Sequence, residues 1–355
     1  MVYYLIAAIF PLFGWGMNHW INQNYQLTGR QKKRVEWWMV IISILPMFLL
    51  FVLRNKVIGT DTSGYVRLFM ETIPKYSFNE ILQGKTTSNE IGFSLYLKLI
   101  SLITSNYTIF FLFNGIIIFG ALLHFSYKHT NNRFVFFFLY VTLGTYNFAL
   151  TGLRQALAMS ICLLAVELVS KRKLIPFLLC IFLASLFHKS AWIFLIVYPL
   201  VYLKKYDWMF FVYAIIAGFF ILGFSFFQEL FNSFLGYDYN IEETGNGGIF
   251  VLLIIIFFVY SFYMLYDNQE EKRRNLISVH LSILTIIFWL LRLISRTAER
   301  ISFYYICGLY VYFAQTFGYQ KDKLASLLKW LLILAALALY VYRSWGASYM
   351  FVWGY

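Results

Sequence analysis

Five short polar clusters interrupt an otherwise apolar chain, and each holds residues that could do chemistry. Gly152-Leu153-Arg154-Gln155 sets a cation at the start of an apolar helix. A guanidinium is permanently charged, and backbone N–H groups at a helix start also face outward, so the pair suits an anion. An arginine resting at the membrane interface is the plain alternative. His188-Lys189-Ser190 interrupts the apolar run 174–203; His188 could serve as a base or donate to a phosphate, or be structural. Arg292, Arg296 and Arg300, followed by Tyr304, recur at steps of four. On one continuous helix they would share a face, and their mutual repulsion calls for an anionic ligand, since Glu299 can offset only part of it. In RNKVIGTDTSGY, from Arg54 to Tyr65, Asp61 could handle a proton or a sugar hydroxyl while Arg54 meets an anion. The same loop could be a solvated turn with Arg54 snorkelling to the interface. Finally, Glu90 opens an amphipathic helix at Asn89-Glu90-Ile91-Gly92, a place where the helix dipole alone favours a carboxylate.

Other chemistries lack their signatures. The chain has no phosphate-binding glycine loop, nucleophile elbow or metal-ligand spacing. Cys162, Cys180 and Cys307 lie inside apolar runs and read as buried free thiols. His19, His124, His129 and His280 have no acid or thiol at ligand spacing. Neither a metal nor a cofactor is expected, and an ATP-driven or zinc mechanism is disfavoured.

The elements that must position these clusters are membrane helices. Of 355 residues, 61% are hydrophobic and 13% charged, with mean hydropathy +0.68, against about 25% charged in a soluble domain. The apolar runs are continuous rather than alternating, which excludes a barrel. The fold class is therefore all-α: a polytopic helix bundle of about twelve transmembrane or half-spanning helices in a single integral membrane domain, 1–355. The N-terminal MVYYLIAAIF lacks a basic leader and a small-residue cleavage site, so its helix is expected to remain as an anchor. The net charge of +13 sits largely in short loops such as Arg30 to Arg34 and Lys171-Arg172-Lys173. That is the positive-inside pattern, and no nucleic-acid partner is implied. Counted this way, 54–104 is an outer-face loop with an amphipathic segment at 91–104. The run 174–203 is two short spans around His188, and all five clusters emerge outside. Arginines with a few carboxylates and aromatic rings suit a substrate carrying a diphosphate and sugars.

Taken in order, these pieces resemble the EpsG family of Wzy-like bacterial exopolysaccharide polymerases. The resemblance is carried by Arg54 with Ile58-Gly59-Thr60-Asp61-Thr62 and Tyr65, by Glu90-Ile91-Gly92-Phe93, and by Gly152-Leu153-Arg154-Gln155 with Ala156 and Ala158. Phe187-His188-Lys189-Ser190-Ala191 and the late pair Arg300 and Tyr304 complete it. It implies a multi-pass glycosyltransferase of the bacterial cytoplasmic membrane, facing outward, that joins undecaprenyl-diphosphate-linked repeat units into an exopolysaccharide or capsule. Its partners would be the lipid-linked oligosaccharide donor and acceptor, membrane lipid, and chain-length regulator and flippase proteins. On that reading Arg54, Arg154, Arg296 and Arg300 bind the diphosphate and Asp61, Glu90 and His188 are the acid–base candidates. Tyr65, Gln155, Arg292 and Tyr304 contact substrate. A flippase for the same lipid-linked sugars and a non-catalytic membrane subunit of a polysaccharide assembly are the two rival functions.

Overall fold

In a computed structural model, which describes residues 1–86, 90–204, 206–223, 226, 229, 233, 247–267, 270, 274–295 and 297–354, helix dominates and no β-strand longer than a single bridge occurs among the described residues. A chain in lipid must satisfy its backbone internally, and these long apolar runs do so as helices. The chain divides into two compact units, residues 1–160 with 326–355, and residues 161–325.

The first unit opens with α1 (Val2–Asn24), α2 (Gly29–Val52) and the short α3 (Thr62–Arg67) and α4 (Phe78–Leu82). There follow α5 (Ile91–Ser101), α6 (Tyr107–His129), α7 (Arg133–Thr142), α8 (Thr145–Thr151) and the start of α9 (Leu153–Ser170). Thr28 and Gln31 form a reciprocal cap that starts α2. Asn106 and Asn132 cap α6 and α7 by accepting N–H bonds from Thr108 and Val135. Glu36 on α2 pairs with Arg133 at the start of α7, and the Arg133 guanidinium lies 4.8 Å from the Tyr127 ring centroid.

The second unit contains α10 (Leu174–Phe187), α11 (Val197–Leu200), α12 (Tyr206–Leu222), α13 (Gly248–Leu265), α14 (Leu276–Leu291), α15 (Thr297–Ser302) and α16 (Ile306–Gln315). α14 packs closely on α16, because a Cβ at Gly308 would overlap the Leu281 side chain; a small residue lets the helices approach. Phe194, Tyr305 and Phe288 stack in series at 5.6 Å per step. The last helix, α17 (Lys323–Arg343), leads into residues 344–354 of the first unit.

Among the described residues, five helices are long and apolar enough to cross a membrane, α2, α6, α9, α13 and α17, and α7 with α8, bent by 59°, makes a sixth if taken as one span. Five shorter apolar helices accompany them: Ile91–Ser101, Leu174–Phe187, Lys189–Leu200, Trp208–Leu222 and Leu276–Leu291. The N-terminal helix expected as an anchor is α1, which is not among the five; its C-terminal third carries Asn18, His19, Asn22, Gln23 and Asn24. The expected break in 174–203 is present: α10 ends at Phe187, His188 is extended (φ −157°, ψ 117°), and a 3-10 helix runs Lys189–Ile196.

One sequence expectation is corrected. The arginine stripe requires a helix through 292–304, but α14 stops at Leu291. The turn that follows bonds Leu293 N–H to the Leu290 carbonyl and Ile294 N–H to that of Leu291. This turn brings the Arg292 Nε within 3.2 Å of Glu299 Oε2, whereas a straight helix would leave the two carbons seven positions and about 10 Å apart along its axis. Beyond this turn, α15 and α16 are separate elements, divided by a second turn at Phe303 to Tyr305.

Candidate functional site

Within the first unit, the break between α8 and α9 decides where Arg154 stands. Gly152 (φ −92°, ψ 60°) separates the two helices, and a helix that stops leaves carbonyls without intrahelical donors. The Leu150 carbonyl, which in an unbroken helix would accept the Arg154 N–H, accepts the Thr62 hydroxyl at 2.8 Å. Gly59 lies against the same carbonyl with φ +96°, where a Cβ would collide with it. The loop after α2 is thereby fastened to the end of α8, and α3 begins on that loop.

Arg154 then meets two partners from different parts of the chain. Its Nη1 pairs with Glu90 Oε2. Its Nε donates to the Tyr65 hydroxyl at 3.4 Å, with the guanidinium carbon 5.5 Å from the ring centroid. The Glu90 side chain is fully buried and that of Arg154 is 26% exposed. Glu90 occupies the N-cap of α5, where its carbonyl accepts from the Ser94 N–H and hydroxyl at 3.1 Å. Burial pushes the Tyr65 phenol above its usual pKa, against the opposing pull of the Arg154 charge. Asp61 stands close enough for its charge to act on Tyr65. It is partly exposed and makes no cap bond at the start of α3. Gln155 is buried beside Arg154 in the sequence.

The cluster thus holds a partly exposed guanidinium whose Nη1 is committed to a buried carboxylate and whose Nε bonds a phenol, with a second carboxylate, Asp61, near that phenol. Chemically, such a group can receive an anionic oxygen without losing its orientation, since a charge-assisted bond to Glu90 fixes one side of the fork.

Arg54 has different surroundings. It is fully buried, with its guanidinium carbon 4.2 Å from the Phe51 ring centroid and 4.1 Å from that of Phe111. Nη1 donates to the Phe51 carbonyl, and Nε and Nη2 have no hydrogen-bond partner among the described residues. Burial lowers its pKa to about 10, which still leaves it charged at neutral pH. Residues 344–354 run across this point: Asn55 N–H donates to the Met350 carbonyl and Val352 N–H to that of Leu53, each at 2.8 Å. Tyr349 donates to the Leu50 carbonyl. Nothing in the sequence reading anticipated this strap, because a terminal run of aromatics reads as an interfacial belt.

The second unit carries the remaining candidates. His188 is buried at the break after α10, and its N–H donates to the Ala184 carbonyl at 3.0 Å. Two residues on, the Ser190 hydroxyl lies 2.9 Å from the hydroxyl of Tyr304, which is itself buried. Arg292 pairs with Glu299, and Arg300 is exposed. Arg296 lies outside the described residues, as does Asn89 of the Glu90 motif.

The missed participants are Thr62 and Gly59. Their signal was present in the sequence as a glycine followed by two threonines, but their partner, a backbone carbonyl, leaves no mark in side-chain types. Compared with known proteins, residues 37–355 match the model of the EpsG family. No curated protein and no solved structure matches the chain.

Proposed function

The chain belongs to the EpsG family, a family of Wzy-like polymerases, and from that premise we propose that it polymerises lipid-linked oligosaccharide repeat units at the outer face of the bacterial cytoplasmic membrane. The protein is an integral membrane protein of a family tied to exopolysaccharide polymerisation. The donor is a growing glycan on undecaprenyl diphosphate and the acceptor is a second lipid-linked unit. An acceptor sugar hydroxyl attacks the donor's anomeric carbon, and the bond from that carbon to the diphosphate oxygen breaks. The electron pair leaves with the polyprenyl diphosphate, and the hydroxyl proton passes to a carboxylate.

Arg154 stabilises the charge that develops on the departing diphosphate. Glu90, ion-paired and fully buried, holds Arg154 in place rather than taking the proton. Asp61, partly exposed beside Tyr65, is the base, and Tyr65 steadies the guanidinium between the two acids. Arg54, enclosed by Phe51 and Phe111, is given no contact with substrate. Arg296 and Arg300 keep their expected role on the diphosphate, and His188 stays the third acid–base candidate. The twelve-crossing arrangement with its outer loop belongs to this reading.

The observation that carries it is the pairing of a partly exposed Arg154 with a buried Glu90. The test is the purified protein in liposomes with a synthetic lipid-diphosphate repeat unit, scored for chain elongation. Wild type is expected to elongate unaided and Arg154→Ala to leave single units. Wild type that moves the lipid across the bilayer without elongating it would make the protein a flippase.

A further inference from the structure

Arg154 depends on a helix break, and a break inside a membrane helix needs something to hold it open. The natural donor for the Leu150 carbonyl is the N–H of Arg154 itself, four residues on. Were that bond to form, α8 and α9 would merge and the Arg154 side chain would turn about the helix axis. Thr62 takes the carbonyl instead, at 2.8 Å, from a fully buried position where water cannot substitute for it.

We propose that Thr62 is a positioning residue for the reaction: with Gly59 it clamps the Leu150 carbonyl and so fixes Arg154 against Tyr65 and Glu90. The inference rests on the reading of Arg154 as the diphosphate contact. Its geometric core is a double spacing. Thr62 and Tyr65 are three residues apart on α3 and share one face of it. Leu150 and Arg154 are four apart across the break. One α3 residue bonds the carbonyl before the break, and the other receives the guanidinium after it, at 3.4 Å. The two contacts together set both the position and the direction of the Arg154 side chain. Gly59 completes the clamp, since any side chain there would displace the carbonyl and the backbone is left-handed.

The experiment compares Thr62→Val, Thr62→Ser, Gly59→Ala and Arg154→Ala in the liposome elongation assay, with inorganic diphosphate as a competing probe. Thr62→Val keeps the volume and removes the donor; it is expected to lower kcat/KM roughly tenfold to a hundredfold, the scale of a small misplacement in an active site. Inhibition by diphosphate should weaken in parallel. Thr62→Ser, which restores the hydroxyl, should return both readings to within about threefold of wild type. Gly59→Ala keeps the hydroxyl but pushes the carbonyl away, and should reproduce the Thr62→Val defect; it also answers the question if Thr62→Val fails to fold. Thr62→Val or Gly59→Ala protein with wild-type elongation and wild-type diphosphate inhibition, beside an inactive Arg154→Ala, would overturn the clamp alone. Active Arg154→Ala would overturn the reading beneath it.

Discussion

Arg154 and Glu90 are coupled, so neither can be substituted without exposing the other's charge. The Glu90 side chain is fully buried and its ion-pair partner is Arg154. Removing one member of such a pair takes away the opposite charge that offsets the buried carboxylate, at a cost of up to about 3–5 kcal/mol. Arg154→Ala should therefore lower thermal stability in detergent as well as abolish elongation. Arg154→Ala with Glu90→Gln should regain most of the stability and none of the activity; recovery of both would place Arg154 outside the chemistry. Asp61 has no such partner to strand. Asp61→Asn should leave the thermal midpoint unchanged while lowering kcat about a hundredfold or more, the usual contribution of a general base. A drop in stability without a drop in kcat would move the base elsewhere. The sequence made Asp61, Tyr65, Glu90 and Arg154 all visible as residue types out of place in an apolar chain. It could not show that Glu90 and Arg154, 64 residues apart, neutralise each other, because pairing is a property of topology. That is why the sequence alone leaves the two carboxylates as equal candidates.

At the scale of elements, the informative features are breaks. The apolar runs announced the helices, and the basic turn at Lys171 to Lys173 and the polar interruption at His188 both fall between helices as read. The stop of α14 at Leu291 was hidden, because a regular spacing of arginines imitates a helical face whether or not the backbone continues. The strap at 344–354 was hidden for the converse reason: its bonds to Leu53 and Asn55 are backbone bonds. In the second unit, the Ser190 hydroxyl and the Tyr304 hydroxyl meet at 2.9 Å in a buried setting, tying the segment after His188 to the turn before α16. Ser190→Ala and Tyr304→Phe should each lower stability by about 1–2 kcal/mol, since each removes a hydrogen bond between two buried hydroxyls. The double variant should cost less than the sum, the sign of a direct interaction. Additive losses would mean that the two hydroxyls act apart, and Tyr304 would return to the list of substrate contacts.

For the whole molecule, the question is which side of the membrane the Arg154 cluster faces, and α2 ties the answer to charge. Its 24 residues span about 36 Å, enough to cross a hydrocarbon core of about 30 Å, and a crossing would put its ends on opposite sides. Arg30, Lys32, Lys33 and Arg34 crowd the first turns, all exposed. The loop that carries Gly59, Asp61 and Thr62 leaves the other end, and Thr62 is bonded to Leu150 beside Arg154. Short basic segments are retained in the cytoplasm, and the proposed outer-face position of the cluster rests on that rule. Single cysteines can test this in a background with Cys162, Cys180 and Cys307 replaced. Ser63 and Lys33 are exposed at the two ends. Ser63→Cys should react with a membrane-impermeant maleimide on intact cells, while Lys33→Cys should react only after permeabilisation. The reverse pattern would put Arg154 and Asp61 on the cytoplasmic side, where a polymerase acting on exported lipid-linked glycans would never meet its substrate.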